Sequence, residues 1–318
     1  MDKPEYIQTI IQVAMMYYND NLTQQEISSK LGMTRQSISK LLNEARTKGI
    51  VEINIINPLK SVQAISDKIV DKFNIKNAIT VPSDFDDDSM NRSIIAQKAV
   101  EHINSLISSG NSNIGISWGR TVYSFIKIFI SENHNNQLNV FPLVGASNEN
   151  APYFMINEMV RIFSEKTKAK PTFIYIPVNP GSSEEYGLFS RTRAYREISQ
   201  IWKNTDIAVV GIGSLKAKSR SVRQEYPGED VLALKMENKD PVGDICTNYF
   251  DLEGNIIKPD DYLRLISINE DELRNIKNVV ALAGGLEKVE AIIGALRTGL
   301  ISDIIIDEIT AREVLKRS

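Results

Sequence analysis

A chain of 318 residues with 42% hydrophobic and 24% charged side chains has the make-up of a soluble globular protein, with room for a small module and one larger domain. One cysteine excludes an internal disulfide, and two histidines leave no Cys/His set with zinc spacing, so neither metal nor cofactor is expected. No apolar run approaches the ~20 residues of a membrane span, the start Met1-Asp2-Lys3-Pro4 is no signal peptide, and the expected compartment is the cytoplasm.

Residues 5–18 (EYIQTIIQVAMMYY) form an apolar helix ahead of the most informative stretch, LTQQEISSKLGMTRQSISKLLNEARTKGI at 22–50. Thr23 caps a short helix, with Glu26 three residues on to complete a capping box. Ile27 and Leu31 share one face, and Gly32 ends the helix where a left-handed residue is needed. Thr34 caps a second helix with apolar positions Ile38, Leu41, Leu42 and Ala45. Its other face carries Arg35, Gln36, Ser37, Ser39 and Lys40, which donate and accept hydrogen bonds at base edges and phosphates. The pattern is a helix-turn-helix whose second helix enters the major groove of double-stranded operator DNA. Thr23, Gln24 and Thr34 complete the expected DNA-contacting set.

The net charge of −3 argues neither way about such a partner, and residues 1–56 sum to zero. Residues 30–48, however, hold Lys30, Arg35, Lys40, Arg46 and Lys48 against Glu44 alone, a net of +4. That stripe suits phosphate contacts and implies salt-sensitive binding. Val51–Ile56 alternates as a strand or wing, Pro58 breaks the pattern, and Leu59–Phe73 resumes helical spacing. The expected domains are 1–57, binding DNA, and 58–318, binding an effector and self-associating.

Beyond Ala78, apolar runs recur at 78–81, 114–116, 140–144, 172–176, 207–210, 279–283 and 304–306. Helical stretches at 93–107, 122–130, 156–166 and 289–296 lie between many of them. The fold class is therefore α/β: a small all-α, winged helix-turn-helix domain followed by a mostly parallel, Rossmann-like sheet covered by helices. Asp84–Asp88 and Asn133–Asn136, with His134, read as surface loops, and Cys246 as a small buried apolar residue.

In such sheets a ligand binds at the carboxyl ends of the strands. Ser117-Trp118-Gly119-Arg120-Thr121 follows one strand and opens a helix, a candidate phosphate cradle of backbone, charge and hydroxyls. Gly145-Ala146-Ser147 makes a second small-residue turn. Gly284-Gly285-Leu286-Glu287-Lys288 places a cation in the first helical turn, where it opposes the dipole unless an anion is bound. Asp244 is a candidate acceptor for sugar hydroxyls, and Asp307-Glu308 either the same or a helix cap. Gly211-Ile212-Gly213-Ser214 lacks the third glycine of a dinucleotide fingerprint, since residue 216 is lysine, and reads as a close-packed strand-to-helix turn. Arg191, Arg193 and 216–223 either add positive charge or are solvated.

Taken in order, LTQQEISSKLGMTRQSISKLL, ISWGRT, FPLVGAS, DIAVVGIGS, VGDI with Phe250-Asp251, and AGGLEKVEAI ending in IIIDEITA resemble the SorC/DeoR-type sugar-binding transcriptional regulators over nearly the whole chain. The resemblance implies an effector domain similar to ribose-phosphate isomerases, sugar-phosphate deaminases and CoA transferases. It also implies a phosphorylated sugar or related metabolite as effector, and a homodimer or homotetramer. It suggests Gly119, Arg120 and Thr121 around a phosphate, Gly145–Ser147 in the same pocket, and Asp244 and Lys288 as polar contacts. Ala146 stands where the family often has a second glycine.

The expected function is repression of a carbohydrate-utilisation operon, relieved by effector. The competing class is a sugar-phosphate isomerase or deaminase with an accessory DNA module, in which Asp244, Asp307 or Glu308 serve as general bases. Against it, neither His102 nor His134 falls at a predicted strand end and no acid–base pair has recognisable spacing, so no catalytic residue is assigned.

Overall fold

The computed structural model describes residues 4–51, 58–83, 88–131, 137–147, 151–215, 240–258 and 264–318, and the chain divides into two compact units, Met1–Asn57 and Pro58–Ser318. In the first, helices α1 (Pro4–Tyr18), α2 (Gln24–Leu31) and α3 (Arg35–Thr47) close on one core. Ile10, Val13 and Ala14 of α1 meet Ile27 of α2 and Ile38, Leu41, Leu42 and Ala45 of α3, all at most 5% exposed. Each fully buried Ile or Leu contributes roughly 1.5–3 kcal/mol, so this core, not helix propensity, sustains a helix of only eight residues. The strand or wing expected at 51–56 falls almost wholly outside the described residues. Only Val51 is seen, its N–H on the Ala45 carbonyl.

The second unit opens with α4 (Pro58–Phe73) and builds a seven-stranded parallel sheet. Its strands are β1 (Asn77–Val81), β2 (Asn113–Ile116), β3 (Asn139–Pro142), β4 (Lys170–Pro171), β5 (Ile207–Gly211), β10 (Asn278–Ala283) and β11 (Asp303–Asp307), in the order β1-β11-β10-β5-β2-β3-β4. Every residue of β10 and β11 is buried, which is why their apolar runs are continuous and not alternating. Helices α5 (Asp88–Ser108), α6 (Arg120–Ile128) and α7 (Ile156–Thr167) pack on the sheet, followed by α8 (Ser183–Ser190) and α9 (Arg193–Trp202). A four-stranded antiparallel sheet, β6 (Gly213–Ser214), β7 (Gly243–Ile245), β8 (Asn248–Phe250) and β9 (Ile256–Ile257), joins the larger sheet through β5. Among the described residues no helix is long and apolar enough to cross a membrane.

Two expectations need correcting. The run at 172–176 is not a strand; only Lys170–Pro171 pairs with β3. The Asn157 side chain grips Ile174 instead, accepting from its N–H at 3.0 Å and donating to its carbonyl at 2.7 Å, and the following Pro177 has no N–H to give a ladder. Nor does Gly211–Ser214 turn into a helix. The chain runs from β5 straight into β6, where Gly213 opposes Asp244 of β7. Glycine is required on the partner strand, since a Cβ on Gly243 would stand 2.4 Å from the Gly213 carbonyl oxygen.

His102, set aside as a catalyst, is structural. Its Nε2 lies 3.0 Å from Asp303 Oδ1, at the start of β11, and Asn77 of β1 donates to the same oxygen at 2.6 Å. Burial pushes the Asp303 carboxyl up, but hydrogen bonds from His102, Ser302 and Asn77 outweigh it and hold the group below its usual range. A depressed folded-state pKa contributes stability that is present above the unfolded value and lost as pH falls through the folded one. Asp303→Asn is expected to cost about 1–3 kcal/mol at pH 7 and progressively less toward pH 3. Urea unfolding at both pH values checks this; an equal deficit at the two would mean that the carboxylate charge is irrelevant.

Candidate DNA-reading helix and effector cleft

Within the first unit, Thr23 Oγ1 accepts from the Glu26 N–H at 3.3 Å while Glu26 Oε2 accepts from the Thr23 N–H at 2.8 Å, a complete capping box. The Thr23 backbone bond, with the Thr23 hydroxyl, holds the Glu26 carboxyl below its ordinary range. Gly32 takes φ 66°, and Thr34 caps α3 by accepting from the Ser37 N–H at 3.2 Å. These caps aim the start of α3 outward. Arg35, Gln36, Ser39 and Lys40 are exposed, whereas Ser37 is half-buried with its hydroxyl on that of Thr34 at 2.8 Å. Arg35 shares an open groove with Tyr17, Tyr18, Thr23, Gln24 and Gln25, so the N-termini of α2 and α3 converge on one surface. Lys30, Arg46 and Lys48 are exposed, and Glu44 takes the Tyr6 hydroxyl at 3.1 Å.

In the second unit the chain reverses direction across the sheet between β2 and β5: β3 and β4 extend to one edge, β10, β11 and β1 to the other. The carboxyl ends of strands at such a reversal leave a crevice. A cleft of about 620 Å³, its open mouth included, lies there. Ser117–Val122 after β2 and Gly211–Ser214 after β5 form two sides, with Tyr153, Phe154, Asp244, Cys246, Leu282 and Lys288 completing it. A smaller cleft of about 360 Å³ is lined by Asp88, Asn91, Arg92 and Ile95 of α5, Gly284, Gly285 and Glu287. Arg120, Thr121 and Lys288 line both.

Ser117 is spent on geometry, its hydroxyl accepting from the Gly211 N–H at 3.3 Å and donating to the Trp118 carbonyl at 3.1 Å. Gly119 caps α6 at φ 131°, a conformation that L side chains rarely adopt, although a Cβ there would meet nothing within 4 Å. The Gly119 N–H is taken by the Tyr153 carbonyl at 3.0 Å. Lys288 ends a 3₁₀ turn (Leu286–Lys288) just ahead of the helix Val289–Arg297, and its Nζ donates to the Ile212 carbonyl at 3.1 Å. Asp244 is 2% exposed, with Oδ2 accepting from the Thr247 N–H at 2.9 Å. The β7–β8 hairpin turns on Cys246 (φ 50°) and Thr247 (φ 62°), two left-handed residues that are neither Gly nor Asn, beside the cleft. Burial, then the Asp244 charge, pushes the Cys246 thiol and the Tyr249 hydroxyl up, so both are neutral at pH 7.

Several expected residues are placed elsewhere or already engaged. Among the described residues, neither cleft is lined by Gly145, Ala146 or Ser147. Gly145 is buried and donates to the Ile266 carbonyl, and Ala146 exchanges backbone bonds with Ile176 and Val178, so the backbone of these two residues is already engaged, while Ala146 and Ser147 stay half-buried. A Cβ on Gly145 would lie 2.6 Å from the Val178 backbone. Gly285 borders the smaller cleft, but its N–H is committed to Thr310 Oγ1 at 2.8 Å and Asp307 Oδ2 at 3.2 Å. Asp307 is the cap of the last helix, Glu308–Arg317, accepting from the Thr310 N–H at 2.9 Å, and needs no ligand. Arg193 pairs with Glu197 at 2.6 Å, and neither it nor Arg191 lines either cleft. Residues 84–87, 133–136 and 216–223 lie outside the described residues. Sequence reasoning missed Arg92, which the helical pattern of α5 conceals, and the aromatic wall. Trp118 and Phe154 meet edge-on at 5.6 Å, with Tyr153 at 5.1 Å from Phe154. The Trp of ISWGRT was the one signal for that wall.

The Sugar-bind family of sugar-binding domains matches residues 57–316. The chain belongs to the SorC/DeoR-type sugar-binding transcriptional regulators. A MarR-family model matches residues 8–54, covering all of α2 and α3. The regulator is 27% identical over 315 residues to the deoxyribonucleoside regulator of Bacillus subtilis, covering 99% of each chain. It is 26% identical to the sorbitol operon regulator of Klebsiella pneumoniae, over 99% of this chain and 100% of that one. The crystal structure of that full-length regulator, SorC, superposes with a TM-score of 0.72, over 99% and 100% of the two chains. A transcriptional regulator from Streptococcus pneumoniae superposes at 0.73 with 26% identity, over 82% of this chain and 98% of that one. These relatives are transcriptional regulators and not enzymes, and so is this SorC/DeoR-type chain; the isomerase or deaminase alternative is set aside.

Proposed function

We propose that this regulator represses a carbohydrate-utilisation operon and releases its operator when a phosphorylated sugar fills the cleft. Arg35, Gln36, Ser39 and Lys40 of α3 read base edges and phosphates in the major groove, with Thr23, Gln24, Thr34 and Ser37 setting the approach. Self-association presents two such helices to a pseudo-palindromic site. The reading rests on one observation above others: the crevice at the sheet reversal brings Arg120 and Lys288 together with the buried carboxylate of Asp244. Cations for a phosphoryl group and an acceptor for hydroxyls are the two chemistries of a sugar phosphate. Relatives named for a sorbitol operon and for deoxyribonucleosides support a carbohydrate-utilisation role. Control of this kind requires the effector to bind the operator-competent and operator-incompetent states with different affinities.

The test is fluorescence anisotropy of labelled DNA from the regulator's own promoter region, with and without a panel of sugar phosphates and their free sugars. Repression with release predicts that one phosphorylated sugar lowers DNA affinity while its free sugar does not. A sugar phosphate that tightens DNA binding would reverse the assigned direction of control. In the same assay Arg35→Ala is expected to weaken DNA binding by about 1–3 kcal/mol, the range of one base or phosphate contact, with effector affinity intact. Unchanged DNA affinity would remove Arg35 from the interface.

A further inference from the structure

The smaller cleft holds a cation that the reading above does not use. Arg92, on the first turns of α5, is half-buried against the cleft and makes no hydrogen bond or ion pair with the described residues. A guanidinium kept partly out of water with no acceptor is costly unless something anionic visits it.

Charge is also divided unevenly between the two compartments. Asp244, 2% exposed, faces the larger cleft only; Arg92 faces the smaller one only; Arg120, Thr121 and Lys288 stand at the seam. The carboxylates lining the smaller cleft, Asp88 and Glu287, are exposed and screened by water, and the buried Asp307 behind Gly284 and Gly285 is taken up by donors from Ser83, Gly285 and Thr310. Water screens a buried carboxylate far less, so an anionic group against Asp244 in the larger cleft is disfavoured more than one beside Asp88 or Glu287, whereas a hydroxyl there finds an acceptor.

We infer that the phosphoryl group of the effector sits in the smaller cleft, gripped by Arg92 together with Arg120 and Lys288. The hydroxylated carbon chain then lies in the larger cleft against Asp244 and the Trp118–Phe154 wall. The effector class follows: a sugar with one terminal phosphoryl group, a second one at the far end being repelled by Asp244. This rests on the reading of the crevice as a sugar-phosphate site, and the experiment separates the two.

The probe is inorganic phosphate, titrated into the full chain by calorimetry for the wild type, Arg92→Gln, Arg92→Lys, Arg120→Gln and Asp244→Asn. Saturable binding is expected in the wild type. Arg92→Gln should raise the dissociation constant at least about tenfold, as for loss of a charged hydrogen bond. Arg92→Lys should recover part of the loss, and Asp244→Asn should bind phosphate no more weakly than the wild type. Wild-type affinity in Arg92→Gln with weakened binding in Arg120→Gln would overturn the inference and leave the sugar-phosphate reading standing, with the anion at the seam or in the larger cleft. No phosphate binding by the wild type, or equal binding by all variants, would overturn both.

Discussion

Phe163→Ala is expected to cost the larger unit about 3–5 kcal/mol, the range for deleting a large buried aromatic. Phe163 of α7 is fully buried, its ring 4.7 Å from that of Phe129 and 5.7 Å from that of Phe125, which itself meets Phe129 edge-on at 5.2 Å. Truncation removes dispersion contacts on several sides at once, and the buried Phe125 and Phe129 of the α6 segment have little freedom to collapse into the void. Such a loss is a large share of the 5–15 kcal/mol that typically stabilises a folded protein. Phe163→Leu, which keeps most of the volume, should cost much less, under about 1.5 kcal/mol if the site repacks. The measurement is simple because both tryptophans, Trp118 and Trp202, belong to the larger unit. Urea unfolding followed by their emission therefore reports on that unit alone. A deficit below about 1 kcal/mol for the alanine variant would show that the cluster is not a packing centre.

Lys288→Ala should lower affinity for the phosphorylated effector by about 1.5–3 kcal/mol, the range of a hydrogen bond to a charged group. Lys288 is half-buried on the wall shared by both clefts and is the N-cap residue of the helix Val289–Arg297. There it opposes the positive end of the helix dipole, a placement that an anion makes favourable. Its bond to the Ile212 carbonyl restrains it beside the crevice beforehand, so less side-chain freedom is left to be lost on binding. Calorimetry with the sugar phosphate found by the anisotropy screen gives the number directly, and operator affinity without effector should not change. An alanine variant that binds the effector as the wild type does would take Lys288 out of the site.

The two reading helices were legible because every signal that forms them is local. Thr23, Glu26, Gly32 and Thr34 act within four residues of their partners, and Ile38, Leu41, Leu42 and Ala45 repeat at the helical period whatever lies opposite. The parallel sheet was legible for a related reason: strands buried on both faces carry continuous apolar runs, as β5 and the interiors of β10 and β11 do. The run at 172–176 carries the same composition and failed, because a side-chain amide from α7 took the backbone bonds that a neighbouring strand would have taken.

The candidate effector site divides along the same line. Gly119, Arg120 and Thr121 are positioned by the turn they belong to, and the sequence by itself determined that they stand after a strand end, where a helix opens. It also determined the polar face of α3 and the cation before the last-but-one helix. Only the tertiary structure decided which turns meet. Gly145–Ser147 has the same small residues as the turns that line the crevice, yet the backbone of Gly145 and Ala146 is taken by Ile176, Val178 and Ile266 from remote segments. Arg92 has no motif, and reaches the cleft because α5 packs beside β10 and β11. The Gly284-Gly285 amides looked free until Asp307 and Thr310, more than 20 residues on, claimed one of them. The physical reason is common to all three: caps and periodicity are satisfied within a turn or two of chain, whereas a cleft is made by contacts between segments whose separation in sequence carries no record of their distance in space.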